Sequence, residues 1–325
     1  MGWKNLMILS IFNSDMARFI VKVVLFGLCV VLLTLSLCVA MLSVPNKDCK
    51  YSHEMNVSLS IERLEAAEGK KIVFFGGSGL GFGLNSQKVQ ETVGMPVYNT
   101  GTHGGLGLLL ELALFKPYIG EGDIVVCVPE YQQYLGNYMY GDEAALRILS
   151  SLCPQGYRYV TIRQCLYLLR YVPDAFGSAL SARDAVPYGG PYSALALNEF
   201  GDVECYEFRD STEVKYVDCL EAPLQPRSVM LLREFDDFCK RKGAMMLLLP
   251  PAYRNESFQA NRSRIDAIWD MVIGSGLPAA SSPTAYCLPD TLFFDSNYHL
   301  TKQGVEFRTD KVVSDICDFV SSSVQ

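Results

Sequence analysis

The hydrophobic pattern divides the chain into one unbroken apolar run and a longer stretch where short apolar segments alternate with amphipathic ones. From Val23 to Val44 no charged residue occurs over 22 positions. As a helix rising 1.5 Å per residue, this run is about 33 Å long, the thickness of a bilayer's hydrocarbon core. A core helix shows an apolar stripe, whereas this segment is apolar on every face, so a membrane span is expected. The run exceeds the apolar region of a cleaved signal, and no small-x-small site ends it. It therefore reads as a retained signal anchor. Lys4, Arg18 and Lys22 precede it against Asp15 alone, which favours a cytoplasmic N-terminus (1–22) and puts residues 45–325 outside the cytoplasm.

A polar juxtamembrane linker (45–67) follows, with a short helix expected at Ser58–Ala67. Continuous apolar runs at Lys71–Phe75, Pro96–Asn99, Asp123–Val128 and Ala244–Leu249 read as buried strands, ended by glycines or by Pro129, Pro250 and Pro251. Between and after them lie expected helices: Leu106–Tyr118, Arg227–Lys242 capped by Gly243, Ile265–Ile273 and Thr301–Val320. Strand–helix alternation with fully apolar strands predicts a mainly parallel sheet covered on both faces, a three-layer α/β/α domain over residues 68–325. In such a fold the chemistry gathers at the C-terminal ends of the strands. Residues 134–224 break the rhythm. They hold helix-like pieces at Ala144–Leu152 and Ile162–Arg170 and a loop rich in Pro, Gly and Tyr, and are expected as an insertion beside the active face.

Composition narrows the classes. Half of the 325 residues are hydrophobic and 19% are charged, which excludes wholesale disorder. The net charge of −7 argues against nucleic-acid binding, and no solenoid or propeller repeat is present. Of eleven cysteines, none forms a Cys-x-x-Cys pair, so a structural metal site is not expected. Buried free thiols are the default reading, and a Cys205–Cys219 disulfide stays open.

Candidate chemistry begins at Gly76-Gly77-Ser78-Gly79, directly after the first strand, where a serine is presented at the sheet's end. The glycines fit neither a dinucleotide fingerprint nor a P-loop, and Leu80 breaks Gly-x-Ser-x-Gly. An activated serine needs a base, and the chain has three histidines: His53, His103 and His299. His53, just beyond the membrane run, is expected at the surface. His299 has Asp295 four residues upstream, a carboxylate able to fix its tautomer.

Taken together, these blocks resemble the SGNH (GDSL-like) hydrolase superfamily, in particular its membrane-anchored branch. Gly76-Gly77-Ser78 matches the nucleophile block. Asn99-Thr100-Gly101-Thr102-His103-Gly104 matches the block Asn-x-Gly-x-x-Gly, whose last glycine supplies an oxyanion N–H. Asp295 and His299, ahead of the last helix, match the acid–base block. The resemblance covers about 68–325, the insertion excepted. Two departures stand out. The third block usually carries an asparagine that donates to the oxyanion, and here the stretch reads Val128-Pro129-Glu130-Tyr131-Gln132. The usual Asp–His spacing is three and here it is four, with Ser296 at the three-apart position and Asp290 as the alternative acid.

The resemblance implies Ser78 as nucleophile, His299 as base, Asp295 as its partner, and the Ser78 and Gly104 N–H groups as oxyanion donors. Asn99, His103, Glu130, Gln132 and Arg254 are substrate-contact candidates at the active end of the sheet. Arg308 reads as a brace of the last helix or an anion-binding group. Tyr131, Tyr134, Tyr138 and Tyr140 read as packing of the insertion, and Asn198, Gly201 and Asp202 as a hydrogen-bonded turn. No cofactor or metal is called for. The activity implied is acyl transfer, acetyl above all, to or from a cell-surface polysaccharide beside a multi-spanning membrane O-acyltransferase. Two alternatives stay open: a non-catalytic scaffold of the same fold, and a simple esterase.

Overall fold

The computed structural model describes residues 14–210, 212 and 214–323. Lys4, counted above for membrane orientation, lies outside them. The chain opens on α1 (Ser14–Leu42), the one helix among the described residues that is long and apolar enough to cross a membrane. Most of its length is exposed, and its end (Cys38, Met41, Leu42) packs onto the remainder of the protein.

Then follow α2 (Asn56–Glu65), β1 (Ile72–Gly76), α3 (Ser78–Gly81), α4 (Ser86–Val93), β2 (Val97–Asn99), α5 (Leu108–Phe115) and β3 (Ile124–Val128). The segment expected as an insertion supplies α6 (Glu143–Ser151), α7 (Ile162–Leu168) and α8 (Val172–Ser181). The chain ends with α9 (Pro226–Arg241), β4 (Met245–Leu248), β5 (Tyr253–Arg254), α10 (Asn255–Ala260), α11 (Arg262–Gly274), β6 (Cys287–Leu288) and α12 (Lys302–Ser323).

The main sheet is parallel, in the order β2-β1-β3-β4, and β5 pairs in parallel with β6 as a separate two-stranded sheet. Successive side chains of a strand point to opposite faces, so the apolar runs feed two cores. Val73, Phe75, Val125 and Cys127 face one core with residues of α2, α5 and α9. Ile72, Phe74, Ile124 and Val126 face the other with Val89 of α4 and Val312 and Ile316 of α12. Burying each such side chain contributes about 1.5–3 kcal/mol, which is why these strands tolerate no polar position. α9 turns into β4 at Gly243, whose φ of 75° is the left-handed conformation that glycine adopts without strain.

Helix α8 lay hidden in the sequence behind Pro173 and Gly177. Pro173 sits in its first turn, where a missing N–H costs nothing. Ala175 and Ala179 are buried on its inner side, and the nearby Asn46, beyond the end of α1, donates to Ser178 Oγ (2.9 Å). All eleven cysteines are free thiols, so the Cys205–Cys219 pairing left open above is not formed.

Candidate active site

The C-terminal ends of the strands converge on one edge, with β1 and β3 in register so that Gly76 lies opposite Val128. Ser78 opens α3 immediately past β1, and its Oγ donates to His299 Nε2 at 2.8 Å. His299 Nδ1 in turn donates to Asp295 Oδ1 at 2.9 Å. The sequence had put these three residues together across more than two hundred positions, and they form one continuous hydrogen-bonded line.

Asp295 and His299 sit on a tight loop closed by the antiparallel bridge between Phe293 and Leu300 and by Phe294 N–H donating to the His299 carbonyl (2.9 Å). Within it, Ser296 Oγ accepts the backbone N–H of Tyr298 and of His299. The three-apart position is therefore consumed in shaping the loop, and the carboxylate that reaches His299 is the one four apart. Burial alone would raise the Asp295 carboxyl. Hydrogen bonds from His299 and Tyr192 outweigh that and hold it below the usual aspartate range. The fallback acid, Asp290, accepts from Glu256 N–H and does not approach His299.

A cavity of about 330 Å³ opens over Ser78 and His299, and all three histidines of the chain line it. His53, expected at the surface, is buried instead. Its ring packs on Phe82 and Tyr192, and burial, then the neighbouring His103 and His299, push its pKa down to about 3, so it is neutral. The reason is the path of the juxtamembrane segment. His53 N–H donates to the Tyr192 carbonyl (2.7 Å) and Ala194 N–H to the Tyr51 carbonyl (2.8 Å), so the segment pairs with the insertion and folds over the site. His103 Nδ1 accepts Gly105 N–H at 3.0 Å, which leaves its proton on Nε2.

Tyr192 is the residue that sequence reasoning missed. Its hydroxyl donates to Asp295 Oδ2 at 2.5 Å and lies 3.1 Å from His299 Nδ1. The available signal was the Tyr-rich loop of the insertion, which gave no means of choosing among its tyrosines. Phe82, likewise unanticipated, stacks on the His299 ring at 4.2 Å between centroids.

The backbone N–H groups of Ser78 and Gly104 have no acceptor among the described residues and stand free as donors. The Gly79 peptide beside them is held at both ends. Its N–H donates to Glu130 Oε1 (3.1 Å) and its carbonyl accepts Arg308 Nη1 (2.6 Å). Arg308 thus braces the serine turn itself, and burial lowers it to about 10. Glu130 is buried, and burial raises its pKa. Its carboxyl lies so close against Gly77 and Gly104 that a Cβ on either glycine would collide with it.

Four of the expected substrate contacts do not line the cavity. Asn99 is fully buried and donates to Asp202 Oδ1, so the turn at Asn198–Asp202 locks it inward. Glu130 is turned to Gly79, and Gln132 Oε1 accepts the Tyr298 hydroxyl. Arg254 is buried among Glu256, Asp290 and the Tyr216 carbonyl, and its backbone N–H donates to the carbonyl of Asn297 (3.2 Å) in the loop that carries His299. Tyr131, Tyr134 and Tyr140 are buried as packing residues. No protein-family model matches this chain, and a search of curated proteins returns no match.

Proposed function

We propose that this protein is a serine acyltransferase of SGNH-like, three-layer α/β/α architecture, held at a membrane by α1 with its catalytic domain outside the cytoplasm. The observation that carries the reading is the line Ser78 Oγ to His299 Nε2 to Asp295 Oδ1 at 2.8 and 2.9 Å. His299 takes the Ser78 proton as Oγ attacks an ester or thioester carbonyl, and Asp295 stabilises the imidazolium that forms. The free Ser78 and Gly104 N–H groups receive the oxyanion. Collapse expels the donor's alcohol or thiol with the proton returned by His299, which leaves Ser78 acylated. A sugar hydroxyl then takes the acyl group with His299 again as base.

The acceptor class proposed is a cell-surface polysaccharide, and the partner a multi-spanning membrane O-acyltransferase that delivers acyl groups to the outer face. Anchoring by α1 supports this by confining the site near the bilayer. A second reading, a non-catalytic scaffold, is favoured by Glu130. Its carboxyl stands where the resemblance expects an asparagine donor, and loss of one donor costs about 10²–10³ in rate.

One experiment decides between them. The purified full chain is treated with a fluorophosphonate probe and assayed on p-nitrophenyl acetate. Labelling that vanishes in Ser78→Ala, with acyl release falling about a thousandfold or more, is the expected result. A wild-type chain that neither labels nor releases nitrophenol favours the scaffold.

A further inference from the structure

The cavity has two unlike sides. Ser78, His299 and His103 belong to the sheet's edge and the acid–base loop, whereas Asp48, Ser52, His53 and Glu54 all come from the short segment just after α1. The chemistry uses the first side, which leaves the second to recognise what the serine acylates.

The charge of that second side is net acidic. Its single cation is Arg147, which is already committed: one guanidinium nitrogen pairs with Glu54 and the other lies 3.6 Å from Glu143. Lys47 and Lys50 are exposed and do not line the cavity. Asp48, half-buried at the rim, has no basic partner among the described residues. His53 is neutral, and its two ring nitrogens, flanked by the carbonyls of Tyr192 and Thr102, make no hydrogen bond among the described residues. The remainder of the lining, Ser52 with the rings of Tyr188 and Tyr192, offers hydroxyls and aromatic faces.

We infer that residues 48–54 form the acceptor-binding wall of this cavity, and that its uncompensated acidic charge selects a hydroxylated sugar that is uncharged or amine-bearing over a carboxylated or phosphorylated one. The inference rests on the serine acyl-transfer reading. A ligand carboxylate near Asp48 meets like charge in a partly desolvated site with no free cation to offset it, a penalty worth about tenfold or more in affinity.

The test uses the full chain in lipid nanodiscs with p-nitrophenyl acetate as donor. Cellotetraose, a glucosamine tetramer and tetragalacturonate serve as acceptors, and the acetylated products are quantified by mass spectrometry. The neutral and amine-bearing tetramers are expected to be acetylated with a kcat/KM about tenfold or more above that of the uronate. Asp48→Lys is expected to move that ratio towards the uronate by a similar factor, through KM, and Asp48→Asn partway. Equal use of tetragalacturonate by the wild type, a ratio unmoved in both Asp48 variants, or no transfer to any tetramer would overturn the inference. Fluorophosphonate labelling of Ser78 in the same preparation separates the two failures: with labelling intact only the acceptor assignment falls, and without it the serine reading falls as well.

Discussion

A carboxyl group sealed from water titrates as part of the fold, and Glu111 and Glu130 are two such groups packed behind the Gly104 loop. Glu111 is buried, accepts Gln133 Nε2 at 2.9 Å, and is pushed up to about 8 by burial and then by the charge of Glu130. Its folded pKa lies above the unfolded one, so the native state holds a proton that the unfolded chain releases. Stability therefore falls as pH rises from about 4.5 to about 8, by at most about 1.4 kcal/mol per pH unit for one such group. His53, lowered to about 3, acts oppositely: its neutral burial costs stability below about 6.5 and nothing above. Asp202, raised to about 6 by burial, has finished titrating by then. Between pH 6.5 and 8 Glu111 therefore contributes a fall in stability. Glu111→Gln keeps an oxygen for Gln133 and should flatten the fall of thermal midpoint across that interval. An unchanged slope would mean Glu111 does not hold its proton.

At the scale of elements, the pairing of residues 51–53 with 192–194 joins the segment after α1 to the Asp295–His299 pair. Ala194 can be replaced by proline with little strain. It is the first residue of a short 3₁₀ turn, and Ser193 before it has φ −80° and ψ 149°, the extended geometry a following proline requires. Ala194→Pro removes only the N–H donated to the Tyr51 carbonyl, and should lower stability by about 1 kcal/mol. Tyr192 is then held less firmly, and the fluorophosphonate labelling rate of Ser78 should drop towards that of Tyr192→Phe. Wild-type labelling in Ala194→Pro alongside slow labelling in Tyr192→Phe would show the pairing to be uncoupled from the site. Such contacts were not legible in the chain. The strands were, because a buried parallel strand is apolar at every position: Asp123–Val128 was expected and β3 is Ile124–Val128. The helix at Arg227–Lys242 likewise shifted by one residue, its apolar period intact. Tyr192, Phe82 and the buried His53 escaped because isolated polar or aromatic residues in a Pro- and Gly-rich loop carry no period, and their roles are set by tertiary contacts alone.

For the whole molecule, what matters is how close the Ser78 edge of the sheet sits to the end of α1. The sequence separated a membrane run from an α/β domain, and left the linker between them as a spacer. Instead the linker is a wall of the cavity, because Asn46, Tyr51 and His53 are each tied by hydrogen bonds to α6, α8 or the insertion loop. With its 29 residues, α1 is about 44 Å long and exceeds the hydrocarbon core by about 14 Å. The chain from Leu42 to Asp48 adds at most about 20 Å if fully extended. If α1 spans the bilayer, the cavity then lies within about 35 Å of the hydrocarbon edge, well inside the range of resonance energy transfer. A donor dye delivered to Ser78 on a fluorophosphonate should transfer efficiently to acceptor-labelled headgroups when the full chain is in nanodiscs, and the signal should collapse on detergent dilution. Weak transfer from a fully labelled Ser78 would mean that α1 does not hold this domain against the bilayer. The proposal that a membrane partner delivers acyl groups to this serine would then lose its physical basis.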